Sequence, residues 1–192
     1  MPSMTKIGII GYRKHTEELI TILERNPHCT LQYIYHPNKT INDDRGTNDF
    51  TDLLRCDAVI IASPNHTHFE YIVKLLQNQN LFIFCEKPPI SNQKELKQLI
   101  KINEQDKKRI FFNFMFRFSK LNEIFKEYLV EDKIGKLIHV DVILTKGLAF
   151  KEEYLGSWRA DGKNNLHNIL DASTIHFIDL FNIFLKKLEK HD

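Results

Sequence analysis

Leu81-Phe82-Ile83-Phe84-Cys85-Glu86-Lys87-Pro88-Pro89 is an apolar run that ends in a carboxylate, an ammonium group and two prolines. The run from Leu81 to Cys85 reads as a strand, and a segment of helical period follows it. In an open parallel sheet ligands bind at the carboxyl ends of the strands, which is where Lys87 stands. Pro88 biases the Lys87 backbone toward extended conformations and so fixes the direction in which its side chain leaves the strand. On this motif alone a surface lysine at a strand end reads equally well. Pro64-Asn65-His66-Thr67-His68, after the preceding strand, supplies a second polar turn at the same level and makes a site plausible.

Working outward, short β-rich apolar runs alternate with helical segments, the pattern of β-α-β units around a parallel sheet. The strands expected are Lys6 to Ile10, Leu31 to Tyr35, Ala58 to Ala62, Leu81 to Cys85 and Ile110 to Phe114. Phe69, Ile72, Val73 and Leu76 recur at i, i+3, i+4, i+7, and Leu96, Leu99 and Ile100 share that spacing after a Ser91 helix cap. These stripes are core faces. Asn38 to Asn48, rich in Asn, Asp, Thr and Gly, reads as a loop.

After Phe118 the rhythm changes. A helix with Leu121, Ile124, Phe125, Tyr128 and Leu129 inward leads to an alternating strand, Ile138 to Leu144, of the kind found in antiparallel sheets with one wet face. A further helix is expected near Thr174 to Leu188. The reading is therefore α/β: a Rossmann-like, doubly wound parallel sheet over residues 1–118, then the beginning of an α+β substrate domain over 119–192.

Composition narrows the class of function. The chain has 192 residues, 42% hydrophobic and 27% charged, enough to bury a real core, and its net charge of +2 carries no footprint for nucleic acid or an acidic membrane. Cys29, Cys56 and Cys85 are odd in number with no CxxC, which points to reduced thiols in a cytoplasmic protein. The apolar opening Ile7 to Ile10 is too short for a signal core or a membrane span. His66 and His68 form an H-x-H, but two imidazoles without a third ligand make a poor metal site.

Several segments together resemble the glucose-fructose oxidoreductase, inositol dehydrogenase and rhizopine-catabolism (Gfo/Idh/MocA) family. They are Ile7-Gly8-Ile9-Ile10-Gly11, the run from Asp57 to His68, Glu86-Lys87-Pro88, Arg117-Phe118-Ser119, Trp158-Arg159 and His176-Phe177-Ile178-Asp179. The resemblance implies an NAD- or NADP-dependent oxidoreductase moving hydride between nicotinamide C4 and a hydroxyl carbon of a sugar, polyol or nucleotide sugar. It implies that Lys87 stabilises developing alkoxide and that His176 is the general base, a task suited to a group titrating near neutrality. Gly8, Gly11, Tyr12, Arg13, His36, Ser63, Pro64, Asn65, His68, Glu86 and Lys87 are the expected cofactor contacts, with Glu86 beside a ribose. Arg117, Trp158 and Asp171 are the expected substrate contacts. Read without the resemblance, His176 serves as well as a histidine satisfied inside an apolar helix, and Arg117 and Trp158 as packing residues.

The departures from the family pattern support a second class, an inactive relative kept as a binding or regulatory module. The glycine-rich turn that lets a diphosphate approach the backbone reads Gly11-Tyr12-Arg13-Lys14-His15-Thr16, with Arg13 and Thr16 at the second and third glycine positions. Arg13, Lys14 and His15 offer side chains that could grip the phosphates instead, while Glu17 and Glu18 oppose a bound anion. No acid follows the second strand to accept from the adenosine ribose; His36 and Lys39 stand there and favour a phosphorylated cofactor. Ala172 replaces an expected aspartate, and Asp171 lies one position, about 100° of helix, away. Family members continue beyond the point where this chain stops, so the resemblance implies either a fragment of a sugar oxidoreductase or a pocket wall supplied by another chain, with homo-oligomerisation through the second-domain sheet.

Overall fold

The computed structural model describes residues 4–130, positions 133, 135, 139 and 141–143, and residues 174–188. The chain forms two compact units, Met1–Asn113 and Phe114–Asp192. The division falls after Asn113, where the sheet ends, and puts Met115–Phe118 with the second unit.

The first unit alternates strand and helix as the apolar periodicity dictates: β1 (Thr5–Ile10), α1 (Lys14–Glu24), β2 (Cys29–Tyr35), β3 (Gly46–Thr47), β4 (Ala58–Ile61), α2 (His68–Leu75), β5 (Phe82–Cys85), α3 (Gln93–Ile100), α4 (Glu104–Lys107) and β6 (Ile110–Phe112). The six strands are all parallel and lie in the order β3-β2-β1-β4-β5-β6. The chain thus winds outward in one direction from β1 and in the other from β4, the doubly wound Rossmann-like arrangement, and the crevice between the carboxyl ends of β1 and β4 is its switch point.

Alternation along β1 sends Ile7 and Ile9 to one face, where they pack with Leu31 and Ile34 under Leu19, Ile20 and Leu23 of α1. Ile10, Val59, Ile61, Ile83 and Cys85 meet Tyr71, Ile72 and Leu75 of α2 and Leu53 on the other face. Burial of these aliphatic side chains, most of them fully enclosed, is worth about 1.5–3 kcal/mol each and holds the strand ends in register. The buried Arg109 guanidinium stitches the far side, donating to the carbonyls of Leu76, Asn78 and Leu81 and to Asp106.

Val73, Leu96 and Ile100, expected on core faces, are exposed, and two further local expectations change. The helix after β5 is capped by Asn92, whose side chain accepts from the Glu95 amide at 3.0 Å, while Ser91 gives its own amide to Glu95 Oε2 at 2.7 Å. The asparagine supplies the side-chain cap, and the serine contributes only its backbone amide, to the glutamate carboxylate. The Asn38–Asn48 loop contains strand β3, because Gly46 and Thr47 pair alongside Ile34 and Tyr35. Gly46 has no room for a β-carbon, which would lie 2.8 Å from Ile41 Cβ.

In the second unit the 3₁₀ turn Met115–Phe118 leads into α5 (Lys120–Phe125), a π-type turn at Lys126–Val130, and α6 (Ile175–Leu188). Of the strand expected at 138–144, positions 138, 140 and 144 lie outside the described residues, and His139 and Asp141 to Ile143 carry no strand pairing.

Candidate functional site

Gly11 closes β1 with φ +115°, a conformation that side-chain-bearing residues rarely adopt, and a β-carbon there would lie 2.7 Å from the Ala62 carbonyl oxygen. Its amide donates to Tyr35 O at 3.0 Å, so one glycine ties the ends of β1, β2 and β4 together at the switch point. Gly8, expected at the cofactor, answers to packing instead: it lies within β1, where a β-carbon would meet Leu53 Cδ2 at 2.7 Å and Cys56 Sγ at 3.1 Å. Tyr12 is half-buried against the cluster under α1.

Helix α1 starts at Lys14 behind an extended Arg13, which gives it no side-chain cap. Arginine has no acceptor atom to offer, so the first-turn amides keep their capacity for an anion. Thr16 is fully buried at the third glycine position, and its Oγ1 has no hydrogen-bond partner among the described residues. Glu18, expected to oppose an anion, lies 3.3 Å from His15 Nδ1.

After β2, His36 Nδ1 accepts the amides of Asn38 and Lys39, at 3.2 and 3.0 Å. Burial lowers the His36 pKa, and the charges of Lys39 and Arg13 lower it further. Three basic side chains therefore converge where an acid would otherwise accept from a ribose.

The turn after β4 is locked from within. Ser63 Oγ and Thr67 Oγ1 are 2.7 Å apart, and Thr67 donates its hydroxyl and its amide to Pro64 O. Pro64 and Asn65 are half-buried in this turn, ahead of α2. His68, expected to line the cofactor, is turned inward: it is 1% exposed, with Nδ1 2.7 Å from Pro88 O and Nε2 2.8 Å from Ser63 O. A neutral imidazole donates to one carbonyl at a time, and burial, outweighing the two carbonyl contacts, lowers its pKa. His68 thus braces the turns after β4 and β5 against each other.

After β5, Glu86 is buried and Lys87 half-buried, and the Lys87–Pro88 peptide is cis. Glu86 Oε1 accepts from Asn113 Nδ2 at 2.6 Å and lies 3.1 Å from His15 Nε2. Burial pushes the Glu86 carboxyl up, but the His15 and Asn113 contacts and the nearby Lys87 charge outweigh it and leave the pKa lowered. His15 answers in the opposite sense: its contact with Glu86 raises its pKa against the cost of burial, with help from Glu18.

The second unit builds a separate cluster. His176, in the first turn of α6, is 6% exposed; its ring stacks on Phe116 at 5.0 Å and meets Phe114 edge-on at 6.4 Å. Arg117, expected to contact substrate, is committed to a two-point bond with Asp179, Nε to Oδ2 at 2.7 Å and Nη2 to Oδ1 at 2.5 Å, and lies over the Phe114 ring. Helical spacing puts His176 and Asp179 on one face of α6, so the Arg117 fork fixes the turn against the face that carries the histidine. Trp158 and Asp171 lie outside the described residues.

The structure thus gathers Gly11, Ser63, Pro64, Glu86 and Lys87 on one rim, places His36 and Arg13 at its β2 end, and withdraws Gly8 and His68 into the framework. Asn113 was absent from the expected set, although a polar residue just past the apolar strand Ile110–Phe112 was the available signal. Among the described residues no group of three or more His, Cys, Asp or Glu is placed to hold a metal, and no helix is long and apolar enough to cross a membrane.

A glycine that admits close approach at the switch point, an uncapped helix start and a polar rim define a dinucleotide-binding domain of Rossmann type. The model of an oxidoreductase family with an NAD-binding Rossmann fold, Gfo/Idh/MocA, matches residues 5–114, and the chain belongs to that family. Glucose-6-phosphate 3-dehydrogenase of Bacillus subtilis is 25% identical over 186 residues, covering 92% of this chain and 53% of that protein. Among solved structures, an NAD-binding protein from Listeria innocua aligns with a TM-score of 0.69 at 17% identity, over 95% of this chain and 55% of its own. A scyllo-inositol dehydrogenase from Lactobacillus casei, with bound NAD(H) and scyllo-inositol, aligns with a TM-score of 0.60 at 24% identity, over 70% of this chain and 43% of its own. At these identities the structures speak for the fold. The chain spans between about a third and about a half of the length of the first curated relatives it matches.

Proposed function

We propose that the chain is the cofactor-binding part of an NAD(P)-dependent oxidoreductase acting on a hydroxyl carbon of a sugar, polyol or nucleotide sugar. The observation that carries the reading is the rim itself, where Gly11, the Ser63–Pro64 turn and Glu86-Lys87 share the carboxyl ends of three adjacent strands. The missing β-carbon of Gly11 and the uncapped start of α1 fit a diphosphate; Glu86 fits a ribose hydroxyl. A bound nicotinamide would supply the two-electron hydride acceptor or donor. Lys87 holds a positive charge at the rim that stabilises an alkoxide, and His176, a buried imidazole in the second unit, takes or returns the hydroxyl proton at nitrogen. The Arg13, His36 and Lys39 trio favours a cofactor carrying a 2′-phosphate, NADP over NAD.

Titration of the purified chain with NADPH and NADH, followed by nicotinamide fluorescence, tests the reading. Saturable binding, with sugar-dependent turnover abolished in Lys87→Met, supports it; no binding at millimolar cofactor overturns it. A second reading, a binding or regulatory relative without turnover, has its own support in Arg13 and buried Thr16 at glycine positions. Binding without turnover on any sugar or polyol would select it.

A further inference from the structure

Glu86 is held unevenly. Both of its contacts, from Asn113 at 2.6 Å and His15 at 3.1 Å, fall on Oε1, and among the described residues Oε2 carries no hydrogen bond. The two partners come from opposite ends of the rim: His15 from the first turn of α1, where a diphosphate docks, and Asn113 from the end of β6. His15 is half exposed on its own helix, so nothing but this contact and Glu18 steers its ring across the crevice to the end of β5.

We propose that His15 and Asn113 are positioning residues that keep Glu86 ionised with Oε2 left as the acceptor for a cofactor ribose hydroxyl, and that cofactor binding draws a proton onto His15. The inference deepens the nicotinamide-cofactor reading and rests on it. The chemistry follows from charge. A buried carboxylate beside a diphosphate is repelled by it, and an imidazolium between them removes that repulsion while adding an attraction of its own. The second and third glycines, through which the backbone would approach the anion, are Arg13 and Thr16 here, so a side-chain cation takes on part of that work. The charged groups around the ring are Glu18 on α1, Glu86 after β5, Lys87 acting on Glu86, and Arg13 and Lys14 next in the chain. The contact with Glu86 raises the His15 pKa already in the free protein, and a bound diphosphate raises it further. Affinity is therefore greatest when His15 is protonated and weakens as pH rises through its free-state value.

The test has three arms. Imidazole NMR titration of the cofactor-free protein reports the His15 pKa, expected above that of an unperturbed histidine and lowered in Glu86→Gln; an unshifted His15, or no response to Glu86→Gln, overturns the pairing. NADPH dissociation constants measured from pH 6.5 to 8.5 should rise about fivefold more in wild type than in His15→Gln. That comparison subtracts the titration of the 2′-phosphate and of His36. Identical pH profiles overturn the proton linkage while leaving the cofactor reading intact. Failure of NADPH to bind at any pH removes both, and the NMR arm still shows whether the His15–Glu86 contact exists. Asn113→Asp, which places a second carboxylate against Glu86, should weaken NADPH binding at pH 7.5 about tenfold with the His15→Gln effect superimposed; unchanged binding removes Asn113 from the proposal.

Discussion

The turn after β1 and the turn after β4 face each other across one crevice yet are built on opposite principles. From Ser63 to His68 both hydroxyls and both His68 ring nitrogens are tied down within the turn or to Pro88, and His68 is buried. From Arg13 to Glu18 the side chains apart from Thr16 are exposed and polar or charged, and the His15 ring reaches both Glu18 and Glu86. The first arrangement is framework; changing it costs fold stability. The second is adjustable chemistry, whose changes are read in cofactor affinity and pH response while stability moves by about 0.5 kcal/mol or less.

The strongest way to break the contrast is His68→Ala. It empties a buried site and removes the ring N–H that one of the Ser63 and Pro88 carbonyls accepts, so urea unfolding should report a loss of about 3 kcal/mol. Gly11→Ala comes next. With φ at +115° and the Ala62 carbonyl 2.7 Å from the new carbon, a loss of about 2 kcal/mol is expected in the same measurement, together with weakened cofactor binding.

Proton uptake sharpens the contrast further. Burial holds the His68 pKa below its ordinary value of 6.5, so as pH falls the unfolded chain takes up the proton first. Stability is full above the unfolded value and declines below it, by up to about 1.4 kcal/mol per pH unit until the folded value is reached. Unfolding free energies at pH 7.5 and 5.5 should show that decline in wild type, reduced in His68→Gln. The opposite slope would mean that the ring is charged and donates to both carbonyls. The smallest effect on stability belongs to Arg13→Ala, within about 0.5 kcal/mol for an exposed side chain, while NADPH binding weakens about tenfold and NADH binding changes little. Equal losses for the two cofactors would remove Arg13 from 2′-phosphate recognition.

Much of this was legible in the chain. The five main strands announced themselves as apolar β-rich runs, and Lys87, Glu86 and Gly11 fell at strand ends because those positions follow directly from the strand limits. Strand β3 escaped notice: two residues carry no periodicity, and Gly46 belongs there for want of space beside Ile41. Gly8 sits in a motif that suggests a cofactor glycine, while the atoms that deny it a β-carbon, on Leu53 and Cys56, come from elsewhere in the chain.

What the sequence determined alone was local: which segments are strands and helices, their parallel alternation, and the polar residues at their carboxyl ends, since hydrophobic period and turn chemistry act between near neighbours. What only the tertiary structure decided were the partners. His15 meets Glu86 across 71 positions and Arg117 meets Asp179 across 62, so the first became a rim residue and the second a brace. The first depends on how a twisted sheet brings its strand ends together and the second on how α6 packs against the Met115–Phe118 turn, and no spacing along the chain encodes either.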